Sequence, residues 1–283
     1  MDHQWLEEFV KFLQDKGRSS HTIIAYKKDI DQFFEYLDGA RIDKLDAVKT
    51  DDIAKFVQSL FKNGFSAKTV SRKITAVKTF FKFLTQERGV LANNPAISIN
   101  HPRLPDKGPR FLNKLEYRAL RDAARDNPRM YAVIELMLQT GIRIGEVARL
   151  RVKDFKGNKL YIRPFESHEG REIPLNRNAK KAIEDYLKIR PESEDEHLFL
   201  TRKGTPLSVR NLRASIDRIF KKAGIENAKV SDIRHTFIAQ QLLRGTPVVV
   251  VSKIVGHKRT ETTSRYLDYL KDYDTKGYVI HEL

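Results

Sequence analysis

Three short segments of the sequence hold residue types that can act together on a phosphate group. They are TGIRIGEVARL at 140–150, VSDIRHTF at 230–237 and VGHKRTETTSRYLDY at 255–269. The candidates within them are two arginines, a histidine and a tyrosine: Arg143, Arg234, His257 and Tyr266. Taken singly, each has an ordinary alternative as a surface arginine, a helix-terminal or core histidine, or a core tyrosine. The chemical interpretation therefore depends on the four residues acting as a set.

Such a set is sufficient to break and rejoin a phosphodiester without a cofactor or a metal. Storing the broken bond requires a covalent enzyme–phosphate intermediate, and a tyrosine forms one from which the phenolate can leave again. Guanidinium groups match two phosphate oxygens with bidentate geometry and stabilise the extra negative charge of the transition state. A histidine can donate a hydrogen bond to the phosphate or move a proton near neutral pH.

In this order and spacing, the three segments resemble the signature boxes of the tyrosine site-specific recombinases, the Xer and phage-integrase family. Near the N-terminus, SSHTIIAYKKDIDQFFEYL and SAKTVSRKITAVKTFFKFL are similar to that family's helical core-binding domain. The resemblance implies that Arg143 and Arg234 clamp the phosphate. It also implies that His257 binds the phosphate or handles a proton, and that Tyr266 is the nucleophile. Glu146, on the same helix face as Arg143, is expected to orient the site.

Two positions depart from the family pattern. The family has a histidine three residues before the arginine of the second box, where this chain has Ser231. The serine could hydrogen-bond the phosphate, or it could cap a helix that begins at residue 232. The family also has a lysine in a β-hairpin, five residues before the arginine of a phrase like REIPL (171–175). This chain has Glu166 at that position.

The family's lysine protonates the departing 5′ oxygen, so this chain needs another proton donor. Glu166 could serve if its pKa were raised, and a nearby phosphate favours such a rise. His168 and Arg163 in the same hairpin are other candidates, and the hairpin could also contribute nothing. We expect cleavage to be slower than in a family member with the full set of residues, but not absent.

The composition favours a nucleic-acid partner. The chain has 283 residues and a formal net charge of +16, and a positive field of this size attracts a phosphate backbone. Basicity for solubility alone is one alternative. A membrane surface is disfavoured, because no basic amphipathic segment has an aromatic-rich face. The chain has no Cys, which excludes disulfides and thiolate metal sites. With no signal peptide and no apolar run long enough for a bilayer, we expect a cytoplasmic protein.

Helical patterns fill residues 1–94, where four amphipathic segments with short connections predict a compact DNA-binding bundle. Four prolines between residues 95 and 109 predict a linker over 95–112. From 113 to 283, helical segments surround strand-like segments that are broken by KGN and HEG turns. The predicted fold is mainly α with a small antiparallel β-sheet: by resemblance, a SAM-like core-binding domain followed by a catalytic domain. In the second domain, helices are expected over 178–189, 208–223, 232–244, 246–255 and 259–272.

Basic side chains in two places are candidates for DNA contacts. One group lies opposite the apolar stripe of the fourth helical segment, and the other lies in TRKGTPLSVRNLR at 201–213. A solvated helix face is the structural alternative for each of them. The candidates are Lys68, Arg72, Lys73, Lys78 and Lys82 in the first group, and Arg202, Lys203, Arg210 and Arg213 in the second.

The resemblance implies an enzyme that recombines double-stranded DNA at inverted-repeat sites through a 3′-phosphotyrosyl bond, as a tetramer on two sites. Its implied tasks are resolution of replicon dimers or transposon cointegrates, or integration and excision. A recombinase-like DNA-binding protein without catalysis is the alternative, and a related topoisomerase is a third. Residues 267–283 are expected to contact a neighbouring protomer or to pack on their own domain. His235 is expected to point away from Arg234 and to have a structural role.

Overall fold

The computed structural model describes residues 3–105, 108–166 and 168–271. The chain divides into two compact units, of which the first ends at residue 106 and the second begins at residue 107. This division lies within the segment predicted as a linker, but the ends of that segment belong to the units. Ala96 and Ile99 are buried in the core of the first unit, and Leu112 is buried in the core of the second.

The described part of the first unit is helical. Its α-helices are α1 (His3–Asp15), α2 (Ser20–Gly39), α3 (Thr50–Lys62) and α4 (Ala67–Lys82), and a π-helical turn, Phe83–Glu87, follows α4. Ser19 and Ser66 precede α2 and α4, and their hydroxyls accept backbone N–H groups of the first turn. The core is rich in phenylalanine, and the rings of Phe9 and Phe80 pack edge to face with centroids 5.3 Å apart.

A buried carboxylate couples α2 to α4. Asp29 on α2 is 1% exposed and accepts hydrogen bonds from Arg72 and, at 2.8 Å, from Lys73. Gln32 accepts a further bond from Lys73 at 2.6 Å. A buried charge is tolerated when it is paired in this way. The prediction that Lys73 contacts DNA is therefore wrong, because its ammonium group is enclosed in this network.

The described part of the second unit combines helices with a small sheet. Its α-helices are α5 (Lys114–Ala124), α6 (Pro128–Thr140), α7 (Ile144–Arg149), α8 (Arg177–Leu187), α9 (Val209–Lys222), α10 (Val230–Leu243), α11 (Val248–Val255) and α12 (Glu261–Leu270). The strands β1 (Phe155–Lys156), β2 (Lys159–Ile162) and β3 (Arg171–Pro174) form an antiparallel sheet in the order β1-β2-β3. The predicted fold class, mainly α with a small antiparallel sheet, is confirmed.

Helix α6 lies at the centre of the second unit. Most of its side chains are buried, and it packs against α5, α8 and α10. It ends at Gly141, whose φ of +63° is one that glycine adopts without strain. A Cβ atom at this position would also overlap the ring of Phe237 on α10. The chain can therefore turn sharply here and bring Arg143 against α10.

The buried carboxylate of the first unit generates a stability prediction. We expect Asp29→Ala to lower the free energy of unfolding by about 3 kcal/mol, because it leaves the Lys73 ammonium buried without its anion. Urea unfolding followed by Trp5 fluorescence measures this loss, because Trp5 is the only tryptophan and packs on this core. Glu35→Ala, an exposed change on the same helix, should alter the free energy by less than about 0.5 kcal/mol. Equal effects of the two changes would contradict the role of the network.

Candidate active site

The first segment of the site is the turn from α6 into α7. Arg143 immediately precedes α7, and its backbone N–H donates to Glu146 Oε2 at 2.8 Å. The Arg143 guanidinium also donates to Glu146 Oε1 at 3.2 Å, so one carboxylate holds both the backbone and the side chain of this residue. The side chain of Arg143 is still 34% exposed, whereas that of Glu146 is 7% exposed. Glu146 thus holds Arg143 in place through these two hydrogen bonds, and its role in orienting a catalytic site stays a prediction.

A third arginine, which the sequence analysis does not single out, shares the same carboxylate. Arg171 at the start of β3 donates from Nη1 and Nη2 to the two oxygens of Glu146, both at 2.9 Å. Its Nε donates to the carbonyl oxygen of Ile254 at 2.7 Å. In the sequence, Arg171 is only the first residue of a strand-like phrase. Its role depends on a contact between residues 25 positions apart.

Glu146 is charged under all ordinary conditions. Burial acts to raise its pKa, but the hydrogen bonds and charge of Arg171, together with Arg143, outweigh burial and lower the pKa to about 2. A buried carboxylate with two guanidinium partners is a stable anchor, because each ion compensates the desolvation of the others.

Arg234 lies on α10 and is held by the C-terminal ends of two other helices. Its Nη1 donates to the carbonyl oxygen of Gly141 at 2.5 Å, and its Nη2 donates to that of Val255 at 2.7 Å. Arg143 donates to the neighbouring carbonyl oxygen of Gly256 at 3.1 Å. Carbonyl groups at helix C-termini carry partial negative charge, which favours cations there. The carbonyl groups at the C-terminal ends of α6 and α11 therefore stabilise Arg143 and Arg234 close to each other.

The guanidinium groups form a cationic cluster. Burial and then the positive charge of Arg143 lower the pKa of Arg234, while Glu146 acts in the opposite direction. A guanidinium remains protonated in proteins even so. Three cations around one carboxylate leave a local positive excess, so the cluster is suited to bind an anion. Arg143, Ser231 and Arg234 line one open cleft.

His257 follows the left-handed Gly256 that ends α11. Its Nδ1 lies 2.7 Å from the hydroxyl of Thr263, which is fully buried on α12. Burial, followed by the charges of Arg234 and Arg143, lowers the pKa of His257 to about 4. The imidazole is therefore neutral near pH 7, where it can donate one hydrogen bond without adding charge.

Tyr266 lies on α12 and is 7% exposed. Its ring lies among those of Phe111, His235 and His257, with centroid separations of 6.2, 5.9 and 6.4 Å. Burial raises the pKa of the Tyr266 hydroxyl, while the charge of Arg234 acts to lower it. The hydroxyl therefore keeps its proton at neutral pH in this state.

His235 points in a different direction from Arg234, and that direction is towards Tyr266. Its Nδ1 lies 2.7 Å from the Tyr266 hydroxyl. Adjacent residues on a helix point about 100° apart, so α10 directs Arg234 to the carbonyl groups and His235 to the tyrosine. No signal in the single sequence distinguishes this histidine, because the direction of Tyr266 is set by the packing of α12 on α10.

Ser231 does not cap α10. The helix begins at Val230 with Lys229 as its N-cap position, so Ser231 lies inside the helix, and the side chain of Asp232 accepts the backbone N–H of Lys229 at 2.8 Å. The Ser231 hydroxyl donates to Asp232 Oδ1 at 3.4 Å and is exposed in the cleft beside Arg234. The capping interpretation of Ser231 is therefore wrong.

The three hairpin candidates differ in their surroundings. Arg163 donates from Nε to the buried Asp154 at 2.9 Å, and its Nη2 lies 2.8 Å from the same carboxylate. Glu166 is exposed at a turn, where its φ is +51°. His168 is half-buried and lines a cleft with Arg171, His257 and Lys258. Burial, followed by the charges of Arg143 and Lys258, lowers the pKa of His168.

The other basic candidates are at the surface of their units. Arg72 is partly exposed although it pairs with Asp29, and Lys78 donates to the carbonyl oxygen of Ile97 at 3.2 Å. The remaining candidates are exposed: Lys68, Lys82, Arg202, Lys203, Arg210 and Arg213. Their contact with DNA stays a prediction.

Comparison with known proteins decides the family. Residues 110–272 match the phage integrase family, and residues 6–88 match its N-terminal SAM-like domain. The chain belongs to the phage integrase family. It is accordingly a tyrosine recombinase, an enzyme of site-specific DNA recombination, and both the predicted family and the predicted enzyme class are confirmed. The alternative of a DNA-binding protein without catalysis is not favoured.

Full-length relatives agree with this assignment. The chain is 30% identical to tyrosine recombinase XerC of Roseiflexus castenholzii, and the match covers 93% of this chain and 88% of that protein. It is also 30% identical to tyrosine recombinase XerC of Anoxybacillus flavithermus, with 95% and 94% covered. Among solved structures, a lambda integrase tetramer bound to a Holliday junction matches with a TM-score of 0.79 at 19% identity, covering 99% of this chain and 80% of that one. The XerA recombinase matches with a TM-score of 0.53 at 24% identity, covering 97% and 99%. These structures show the shared fold.

Two kinds of feature are absent from the described ranges. No helix there is both long and apolar enough to cross a membrane. No group of three or more histidine, aspartate or glutamate side chains there could hold a metal ion.

The anchoring of the arginines by Glu146 generates a second prediction. Glu146→Gln keeps the shape of the side chain but removes its charge, so at pH 7 we expect a loss of about 3 kcal/mol in the free energy of unfolding. The folded-state pKa is about 2 and the ordinary value is 4.5. The stabilisation by the wild-type carboxylate is therefore complete above pH 4.5 and is lost as the pH falls towards 2.

Urea unfolding followed by far-UV circular dichroism, repeated from pH 7 towards acid, measures this difference. The difference in the free energy of unfolding between the wild type and Glu146→Gln should become smaller as the pH falls from 4.5 towards 2. Glu194→Gln, an exposed change in the same unit, is the control and should follow the wild type at every pH. A gap that is independent of pH would show that the charge of Glu146 is not the cause.

Proposed function

We propose that this chain cleaves and rejoins DNA through a 3′-phosphotyrosyl bond to Tyr266, at a phosphate bound by Arg143 and Arg234. The observation that carries the proposal is the cluster of three guanidinium groups around Glu146, beside a buried tyrosine hydroxyl. These groups come from the residue before α7 and from β3, α10 and α12, which are distant in the sequence. Charge held in place before the reaction stabilises a transition state without further reorganisation.

The charges of the cluster match those of the reaction. Three guanidinium groups and one carboxylate leave an excess of two positive charges. Arg143 and Arg171 hydrogen-bond Glu146, whereas Arg234 donates to backbone carbonyl groups, which carry no net charge. The pentacoordinate phosphorus of the transition state carries about two negative charges, more than the ground-state diester. The site therefore favours the transition state over the bound substrate, which is the condition for catalysis.

Each arginine retains donors for this task. A guanidinium carries five N–H groups, and the contacts of Arg143 and Arg234 with backbone carbonyl groups use only some of them. Arg143 is the more exposed of the two and is the first to meet a phosphate. His257 is neutral and donates one further hydrogen bond to a non-bridging oxygen. Arg171 positions Glu146 rather than binding the substrate.

His168 is the best candidate among the hairpin residues for protonating the departing 5′ oxygen. Arg163 is committed to Asp154, and a guanidinium does not release a proton. Glu166 lies at an exposed turn. His168 shares a cleft with His257 and Arg171, and a bound phosphate would raise the pKa of its imidazole towards the neutral range. A protonated imidazole there can supply the proton.

The remaining expectations belong to the same proposal. Double-stranded DNA with inverted repeats is the proposed substrate, bound by the exposed lysines and arginines named above. The lambda integrase structure is a tetramer on a Holliday junction, and we extend that assembly to this chain. Most of the segment expected to contact a neighbouring protomer, residues 272–283, lies outside the described residues. The proposed task is resolution of replicon dimers or cointegrates, or integration and excision, in the cytoplasm.

The nucleophile is tested with a nicked suicide duplex that traps the covalent intermediate. Its recombination site is first obtained by selecting bound duplexes from a random pool. We expect the wild type to form an SDS-stable adduct and Tyr266→Phe to form none, because the attacking oxygen is gone. Tyr269→Phe, on the same helix, is the matched control and should form the adduct normally. An adduct that persists in Tyr266→Phe excludes this nucleophile, and relaxation of plasmids without the site would indicate a topoisomerase.

The proton donor is tested with a second substrate in which sulfur replaces the bridging 5′ oxygen. We expect His168→Ala to slow cleavage of ordinary DNA by about 100-fold and to cleave the sulfur substrate at the wild-type rate. A thiolate leaves without a proton, so loss of the acid should not matter there. Glu166→Ala and Arg163→Ala are measured in parallel. If none of the three changes slows adduct formation, the hairpin does not supply the acid.

A further inference from the structure

The hydroxyl of Tyr266 must lose its proton when it attacks phosphorus, and its surroundings do not favour the free phenolate. The side chain is 7% exposed, and its burial raises the pKa of the hydroxyl. The family's histidine before the second-box arginine is replaced by Ser231, which cannot accept a proton near neutral pH. The nucleophile therefore needs another base within hydrogen-bond reach.

His235 is the group in that position. Its Nδ1 lies 2.7 Å from the hydroxyl oxygen, within the distance required for proton transfer. The rings are 5.9 Å apart and tilted by 40°. Because a phenol O–H donates, the fitting tautomer carries its hydrogen on Nε2 and presents an unprotonated Nδ1 to the tyrosine.

Burial is the main reason why His235 is neutral and able to accept a proton. It lowers the pKa of the imidazole, while Asp232 and Arg234 on the same helix act in opposite directions, Asp232 to raise that pKa and Arg234 to lower it. Tyr266 on α12 is its hydrogen-bond partner, and His257 is near enough for their charges to interact. A neutral imidazole next to the nucleophile is the protonation state that a base needs at pH 7.

His257 is a poorer candidate for this task. Its Nδ1 is engaged by the hydroxyl of Thr263 at 2.7 Å, and its ring centre is 6.4 Å from that of Tyr266. The two histidines therefore have different partners. His257 is oriented by Thr263 on α12, whereas His235 contacts the Tyr266 oxygen directly.

We propose that His235 is a catalytic residue of this enzyme, the general base that takes the proton of Tyr266 during strand cleavage. This inference rests on the proposed function, in which Tyr266 is the nucleophile. As the bond from Tyr266 Oη to phosphorus forms and the bond from phosphorus to the 5′ oxygen breaks, the phenol proton moves to His235 Nδ1. The 5′ oxygen takes its proton from the hairpin side. In rejoining, a 5′-hydroxyl attacks phosphorus, and His235 returns the proton to the departing phenolate.

The position of His235 next to Arg234 on one helix fixes the distance between the two side chains. One helix carries both the arginine that holds the phosphate and the base that activates the attacking oxygen, so their separation is set by a rigid element. Sites built on helices hold their groups more closely than sites built on loops.

The experiment compares single-turnover adduct formation by the full chain on the suicide duplex and on the 5′-sulfur duplex. We expect His235→Gln, which keeps a polar side chain but cannot take a proton, to slow both reactions by about 100-fold. The sulfur substrate removes the need for an acid but not for a base, so it should rescue His168→Ala and not His235→Gln. The rate of His235→Gln should also rise with pH, as hydroxide replaces the imidazole.

Two further variants, His235→Ala and Gln240→Ala, distinguish a loss of catalysis from a loss of folding. Added imidazole should restore part of the activity of His235→Ala, because it can occupy the space of the missing ring. Gln240→Ala, a change further along α10, should cleave at the wild-type rate. DNA affinity and circular dichroism should match the wild type in all three variants.

The outcomes distinguish this inference from the proposed function. If the wild type forms an adduct that depends on Tyr266 while His235→Gln cleaves at the wild-type rate, His235 is not the base and the proposed function stands. A slow His235→Gln that the sulfur substrate rescues, or a slow His235→Ala that imidazole does not restore, also overturns the inference. No adduct from the wild type overturns both.

Discussion

The buried carboxylate of Glu146 is the constraint on which the site depends. Three guanidinium groups cannot be brought together in a protein interior without compensation, because each is desolvated and repels the others. Glu146 pairs with Arg143 and Arg171. Arg234 donates to backbone carbonyl groups at the C-terminal ends of α6 and α11, and Arg143 also donates to carbonyl groups at the end of α11. The arginines are therefore held in place by the protein itself, and the cluster keeps a net positive charge.

The same physical rule has a different result in the first unit. There the buried Asp29 accepts hydrogen bonds from Arg72 and Lys73, and the lysine side chain is itself buried. One carboxylate faces more than one cation in both places, but in the second unit Arg143 remains partly exposed at the mouth of a cleft. Both networks contain cations, but a cation can bind a ligand only where its side chain is exposed to solvent. Arg143 meets this condition and Lys73 does not.

Neutral histidines complete the site without adding to the repulsion. Burial, followed by the charges of Arg234 and Arg143, lowers the pKa of His257. Burial also lowers the pKa of His235, where Asp232 acts to raise it and Arg234 to lower it. Each can then use its ring nitrogens as one donor and one acceptor. Packing of α12 onto α10 and α11 determines which partner each one meets, with Thr263 for His257 and the Tyr266 hydroxyl for His235. The fold thus assigns different tasks to two chemically identical side chains.

The sequence by itself determined the helices, the small sheet and the family. Apolar periodicity is a local property, and the predicted helices of the second unit agree with α8 to α12 within two residues at each end. Family boxes also identified four candidates, Arg143, Arg234, His257 and Tyr266. Only the tertiary structure decided that Arg171 pairs with Glu146, that His235 meets Tyr266 and that Lys73 is buried. Those facts depend on contacts between residues 25, 31 and 44 positions apart. Local patterns carry no information about such pairings, because they arise only when helices and strands pack and buried charges must find partners.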